Sequence, residues 1–181
     1  MQILQILGVE IVEKTKEISI LFTRYSDFFS RFVYWISGRG FTHVSIALDN
    51  NQDYFYSFNT KGFKKEYPRK HKNRTKESLC YKLMVTEEEY EKLCKVVDVF
   101  MKKKEQTSYN WVGIVLCFIG IPIFLENKFF CSQWVAFALE IAGICLFTKN
   151  VSKYLPSQLK KELDERCLVV ERIVNPEFLT A

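Results

Sequence analysis

Between Thr42 and Leu48 the chain reads THVSIAL, an alternation that leaves little choice of secondary structure. In an extended strand Val44, Ile46 and Leu48 fall on one side and His43, Ser45 and Ala47 on the other, and the second set is small apart from His43. A polar turn, Asp49-Asn50-Asn51-Gln52-Asp53, follows, after which Asp53 to Asn59 (DYFYSFN) resumes a strand-like run. The two runs are expected to pair as an antiparallel hairpin. Such a hairpin needs an apolar layer to cover it. A chain of 181 residues, 48% of them apolar, can supply that layer within one domain spanning residues 1–181.

The remaining pattern is mixed. Ile18 to Thr23 (ISILFT) reads as a further strand, and Ser26-Asp27 caps a helix over Phe28 to Ser37 that turns Phe29, Phe32, Val33 and Ile36 inward. Leu79 to Val85 reads as a strand. Thr86-Glu87-Glu88-Glu89 is a capping box opening a helix with Tyr90, Leu93, Cys94, Val97, Phe100 and Met101 on one face. Tyr109 to Phe124, apolar but broken by Gly113, Gly120 and Pro122, predicts a short buried helix and a turn. Gln133 to Ala142 predicts a helix closed by Gly143. A turn at Tyr154 to Leu159 leads into a last short helix, and Cys167 to Val174 predicts a final strand. The fold class is therefore α+β with a mostly antiparallel sheet.

Several function classes are disfavoured. The six cysteines, at 80, 94, 117, 131, 145 and 167, include no C-x-x-C pair, and there are only two histidines, so a structural zinc site and a disulfide framework are not expected. The amino-terminal stretch MQILQILGVEIVEKTKE lacks a basic region ahead of its short apolar run and a small-residue cleavage site after it, and the apolar run Val112 to Leu125 is short and contains a proline. The expectation is a cytoplasmic protein with free thiols. The formal charge of +5 is concentrated in Lys61 to Lys76, KGFKKEYPRKHKNRTK, with eight Lys or Arg against one Glu. This stretch reads as an exposed loop, residues 61–76, whose field attracts an anionic ligand. With no aromatic residues interleaved at a nucleic-acid-binding spacing, no specific nucleic acid is implied. Only this loop and the aromatic residues nearby argue for contact with a membrane surface.

Two residues carry candidate chemistry. Cys131 falls at the start of a helix, where free backbone N–H groups and the helix dipole favour a thiolate. His43 lies in a strand beside small neighbours. Together they have the composition of a thiol nucleophile with a general base, although a packed histidine and a core cysteine fit the same pattern.

The wording of the segments narrows this. FTHVSIALD (Phe41 to Asp49) followed by FFCSQWVAFAL (Phe129 to Leu139) resembles the circularly permuted papain-like families. These are the YiiX-like relatives of the NlpC-type cell-wall peptidases, related also to lecithin:retinol acyltransferase. Tyr109-Asn110-Trp111-Val112-Gly113 and the Pro156-x-x-Leu159 spacing are similar to segments of that group, and His43 precedes Cys131, which is the permuted order. The resemblance runs from Ile18 to Leu159. It implies a permuted papain-like fold in which an antiparallel sheet packs against the helix bearing the nucleophilic cysteine.

The activity implied is that of a thiol hydrolase or acyltransferase, in which Cys131 attacks an amide (peptide or isopeptide) or a lipid ester and His43 serves as base. A thioester is the intermediate, and no metal or organic cofactor is needed. Relatives place a His, Glu, Asn or Gln on the next strand to orient the catalytic histidine; the matching positions here are Ser57 and Asn59, of which Asn59 is chemically the better orienter. The weakness of that third position leaves an alternative, a catalytically weak or inactive papain-like module that binds an amphipathic or anionic ligand.

Overall fold

The structure is a computed structural model that describes residues 14–48, 52–68, 75–167 and 169–180. Its strands are β1 (Thr15–Tyr25), β2 (His43–Ala47), β3 (Phe55–Asn59), β4 (Gly62–Glu66), β5 (Thr75–Thr86), β6 (Ser108–Tyr109), β7 (Lys128–Phe129) and β8 (Val169–Val174). Six of them form one sheet in the order β4-β3-β2-β1-β5-β8, antiparallel at every junction, while β6 and β7 form a short parallel pair. The helices are α1 (Phe28–Ile36), α2 (Glu87–Lys102), α3 (Trp111–Phe118), α4 (Cys131–Ala142), α5 (Pro156–Arg166) and α6 (Glu177–Thr180). The fold is α+β. None of the described helices is long and apolar enough to cross a membrane.

Alternation along the strands divides the sheet into two faces. Ile18, Ile20 and Phe22 of β1, Val44 and Ile46 of β2, and Tyr81 and Leu83 of β5 join one core with Leu93 of α2, Ile114 of α3, Trp134 of α4 and Leu159 of α5. The opposite face buries a smaller cluster, Leu21, Ala47, Phe55, Cys80 and Leu179. Gln52 Nε2 donates to Ser19 Oγ on that second face at 2.8 Å, satisfying both polar groups in the absence of bulk water. Helix α4 is the central buried element: each residue from Cys131 to Ala136 is buried, and Trp134 lies 4.8 Å from the Phe63 ring and 5.9 Å from that of Phe100.

The basic stretch is only partly the exposed loop expected over residues 61–76. Gly62 to Glu66 is β4, paired along its length with β3 from Phe55↔Glu66 to Asn59↔Gly62, and Thr75 and Lys76 already belong to β5. Residues 69–74 of that stretch, residues 49–51 of the expected turn and residues 1–13 lie outside the described residues. One apolar anchor, Phe63, fully buried beneath Trp134, is enough to fix β4 against the core. Its charged neighbours point elsewhere; Lys65 Nζ sits 3.5 Å from the centre of the Tyr54 ring, a cation–π contact.

Two further expectations change. Phe32 of α1, placed on the inner face by the i, i+3, i+4 pattern, is exposed, and the buried residues of that helix are Ser30 and Val33. Helix α3 is not a buried helix: Trp111, Val112, Val115 and Phe118 are exposed, as are Ile119, Ile121 and Phe124 after it, while Gly113, Ile114 and Cys117 face the core.

The β3–β4 hairpin turns through Thr60 and Lys61, and Asn59 Oδ1 accepts from the Lys61 N–H at 2.9 Å. Gly62 then adopts φ +88°, and a Cβ there would lie 2.5 Å from the Thr107 carbonyl oxygen. Gly62→Ala is therefore expected to lower unfolding free energy by about 1–3 kcal/mol, measured by urea denaturation, because it meets both backbone strain and a rigid carbonyl.

Candidate functional site

Cys131 is the first residue of α4. The preceding Phe130 is extended (φ −99°, ψ 164°), and the turn into the helix leaves the N–H groups of Cys131 and Ser132 facing the sulfur. A third N–H reaches it from the sheet, that of Val44, the residue after His43. This donor is available because β2 and β3 diverge: among the described residues their pairing is Ile46↔Tyr56, so Val44 has no strand partner there on that side. The Val44 carbonyl is satisfied instead by the Ser57 hydroxyl at 2.6 Å. The cysteine helix and the histidine strand thus meet at the sulfur.

The thiol is not activated at rest. It is 1% exposed, and burial pushes it up from its ordinary 9.0 to about 11, outweighing the three N–H groups and the Ser132 hydroxyl that favour the thiolate. The donors at the helix start favour the thiolate as expected, but desolvation outweighs them. Tyr109 lies against the sulfur as well; burial, then the Cys131 sulfur, drives its phenol well above the ordinary range, so it stays an O–H donor. Its position follows from the β6–β7 pair, in which Tyr109↔Phe129 are partners and the Asn110 N–H donates to the Phe129 carbonyl at 3.0 Å. Asn110 caps α3 through Gly113, which accommodates it by lacking a Cβ.

His43 opens β2 and is nearly buried, its ring 5.5 Å from that of Tyr25. It lines a cleft of about 240 Å³ with Tyr25, Phe29, Asn59, Glu66 and Tyr109. The carboxylate of Glu66, itself buried, brings Oε2 to 4.0 Å from His43 Nε2. Asn59 Nδ2 donates a short hydrogen bond to the other oxygen, Oε1. Of the two residues expected to orient the histidine, Ser57 is engaged with Val44, and the Asn59 amide oxygen is engaged with Lys61. Among the described residues, the charged group facing the ring is Glu66, which was not expected there. Its one signal was that it is the only acid in a run of eight cations.

The remaining polar residue of the cysteine segment, Gln133, is structural. Gln133 Nε2 donates to Ser152 Oγ at 2.8 Å and to the Ile123 carbonyl at 3.1 Å, tying the chain on either side of α4. All six cysteines are free thiols. Among the described residues, no group of three or more His, Cys, Asp or Glu could hold a metal ion.

The buried thiols give stability an alkaline limit. A folded value above the unfolded one means that the contribution is complete below about pH 9 and is lost as pH rises through the folded value; that value is about 11 for Cys131 and Cys80 and about 12 for Cys117. Unfolding free energy is expected to fall between pH 9 and 11, by about 1.4 kcal/mol per pH unit for each titrating thiol. Urea titrations across that range should show a shallower fall for Cys131→Ala.

The chain matches no protein-family model, no curated protein and no solved structure.

Proposed function

We propose that this chain is a thiol hydrolase or acyltransferase of permuted papain-like fold that acts on an amide or ester bond. Cys131 is the nucleophile, His43 the base, and Glu66 the group that orients the imidazole. The observation that carries this reading is the meeting of the Cys131 sulfur with the backbone of the histidine strand through the Val44 N–H, with a buried carboxylate behind the histidine. The Glu66 carboxylate, 4.0 Å from Nε2, favours the imidazolium that forms when His43 takes a proton. His43 takes the thiol proton as the sulfur attacks the acyl carbon. The oxyanion formed accepts from the Cys131 and Ser132 N–H groups, with the Tyr109 hydroxyl as a further donor. His43 returns the proton to the departing amine or alcohol, and water or an acceptor alcohol or amine then cleaves the thioester.

A resting thiol held at about 11 makes proton transfer coincide with substrate binding rather than precede it. Chromogenic ester hydrolysis tests the reading. Cys131→Ala should abolish turnover, and His43→Ala should lower kcat by about 10²–10⁴-fold. Equal activity in either variant contradicts it. The same burial favours a second reading, a binding module that retains the cleft without turnover. It would be supported by ligand binding in the cleft that Cys131→Ala leaves intact, with no hydrolysis by the wild type.

A further inference from the structure

On the other side of Tyr25 from the histidine cleft lies a separate cavity of about 450 Å³, and we infer that it is a binding site for a phosphomonoester. Its cations come from three elements: Arg24 near the end of β1, Arg31 on α1 and Lys76 at the start of β5. Among the described residues, no carboxylate lines it. Arg24 reaches outward to Glu77 through one terminal nitrogen at 3.2 Å, but its Nε is buried and has no hydrogen-bond partner among the described residues. Arg31 and Lys76 make no side-chain ion pair among the described residues. Three cations converging on one cavity, with Glu77 on Arg24 as their one ion-pair partner among the described residues, repel one another, a cost that a bound anion removes.

The geometry selects among anions. Arg24 contributes its guanidinium charge, Arg31 a guanidinium and Lys76 an ammonium with no ion-pair partner among the described residues, and Ser26 adds a hydroxyl. A phosphate monoester, with a charge near −2 and three acceptor oxygens, uses all of these, whereas a carboxylate or sulfonate carries a single charge. The cavity is also too large for bare phosphate, and its remaining wall is Tyr34 and Trp35. Arginines brace both rings: Arg24 lies 5.7 Å from the centre of Tyr34, and Arg39 lies 4.6 Å from that of Trp35. The phosphate therefore enters attached to an apolar or planar group. Soluble aryl or nucleoside phosphates carry such a group, and so does phosphatidate at a lipid surface; Phe28, 90% exposed, and Phe32, also exposed, on the same helix are placed to meet the latter. This inference is independent of the hydrolase reading, since neither Cys131 nor His43 lines the cavity.

The test uses the full chain and phenyl phosphate as probe, by isothermal titration at low salt. One saturable site is expected, several-fold weaker for phenyl sulfonate. Arg31→Gln and Lys76→Gln are each expected to weaken it about fivefold to tenfold, and the double variant more than tenfold, with circular dichroism unchanged because neither side chain has an ion-pair partner among the described residues. A second arm measures sedimentation with phosphatidylcholine vesicles with and without phosphatidate. Phosphatidate-dependent pelleting that the double variant loses identifies a lipid source; phenyl phosphate binding without pelleting identifies a soluble ester. The inference is overturned by the absence of both saturable binding and phosphatidate-dependent pelleting, or by binding that the double variant leaves unchanged.

Discussion

Glu66→Gln is expected to lower kcat for ester or amide hydrolysis by about 10²–10³-fold while leaving KM nearly unchanged. The substitution keeps the shape of the side chain and removes only its charge. At the 4.0 Å separation of Glu66 Oε2 from His43 Nε2, a unit charge pair is worth about 4 kcal/mol at the effective dielectric of a site near the protein surface. That charge stabilises the imidazolium formed when His43 takes the thiol proton, so its loss appears in the transition state rather than in binding. The acid limb of the pH–rate profile should move to lower pH in the same variant, since a histidine without an adjacent anion holds its proton less well. Asn59→Ala, which removes one donor to the carboxylate, should cost about tenfold. Ser57→Ala should change the rate little and cost stability instead, about 1 kcal/mol, through the orphaned Val44 carbonyl. Wild-type kcat in Glu66→Gln would remove Glu66 from the catalytic account.

Trp134→Ala is expected to lower unfolding free energy by about 3–5 kcal/mol in urea denaturation. The indole is fully buried, packed against Phe58, Phe63 and Phe100 with ring centres 4.8 to 6.3 Å away. It joins β3, β4 and α2 to α4 at the level of the cleft. Its Nε1 is buried with no hydrogen-bond partner among the described residues, so Trp134→Phe loses volume but also sheds an unsatisfied donor. The aromatic replacement should therefore cost no more than about 1.5 kcal/mol. A large loss for both variants would mean that the volume of the indole, rather than burial of an aromatic ring, sets the position of α4.

What could be read from the sequence was what local chemistry determines. The alternation around His43, the Asp27 cap of α1, the Thr86–Glu89 capping box and the left-handed Gly143 that closes α4 all lie where short-range patterns place them. Contacts between distant segments were harder to read. Strand β4 is hidden in a basic run because its strand character rests on one buried apolar side chain, Phe63, and on a partner strand that supplies the backbone bonds. With β4 unread, Glu66 had no address beside His43. Tyr109 reaches the sulfur only through a two-residue parallel pairing that brings Tyr109 beside Phe129, which no local pattern announces. Helix α3 reads as buried from its composition, yet burial depends on which layer covers it, and only its Gly113, Ile114 and Cys117 side meets one. The cysteine shows the same division. Its place at a helix start is legible, while the desolvation that raises its thiol to about 11 arises from the whole core around it.

The most direct measurement of the central claim is the identity of the acylated residue. The protein is mixed with an activated chromogenic ester, quenched in acid before deacylation, digested and mapped by mass spectrometry. One acyl group per chain is predicted on Cys131, bound as a hydroxylamine-labile thioester, and none on that residue in His43→Ala. Acylation spread over the more accessible cysteines and lysines, or an unmodified Cys131 while ester is being turned over, would contradict it.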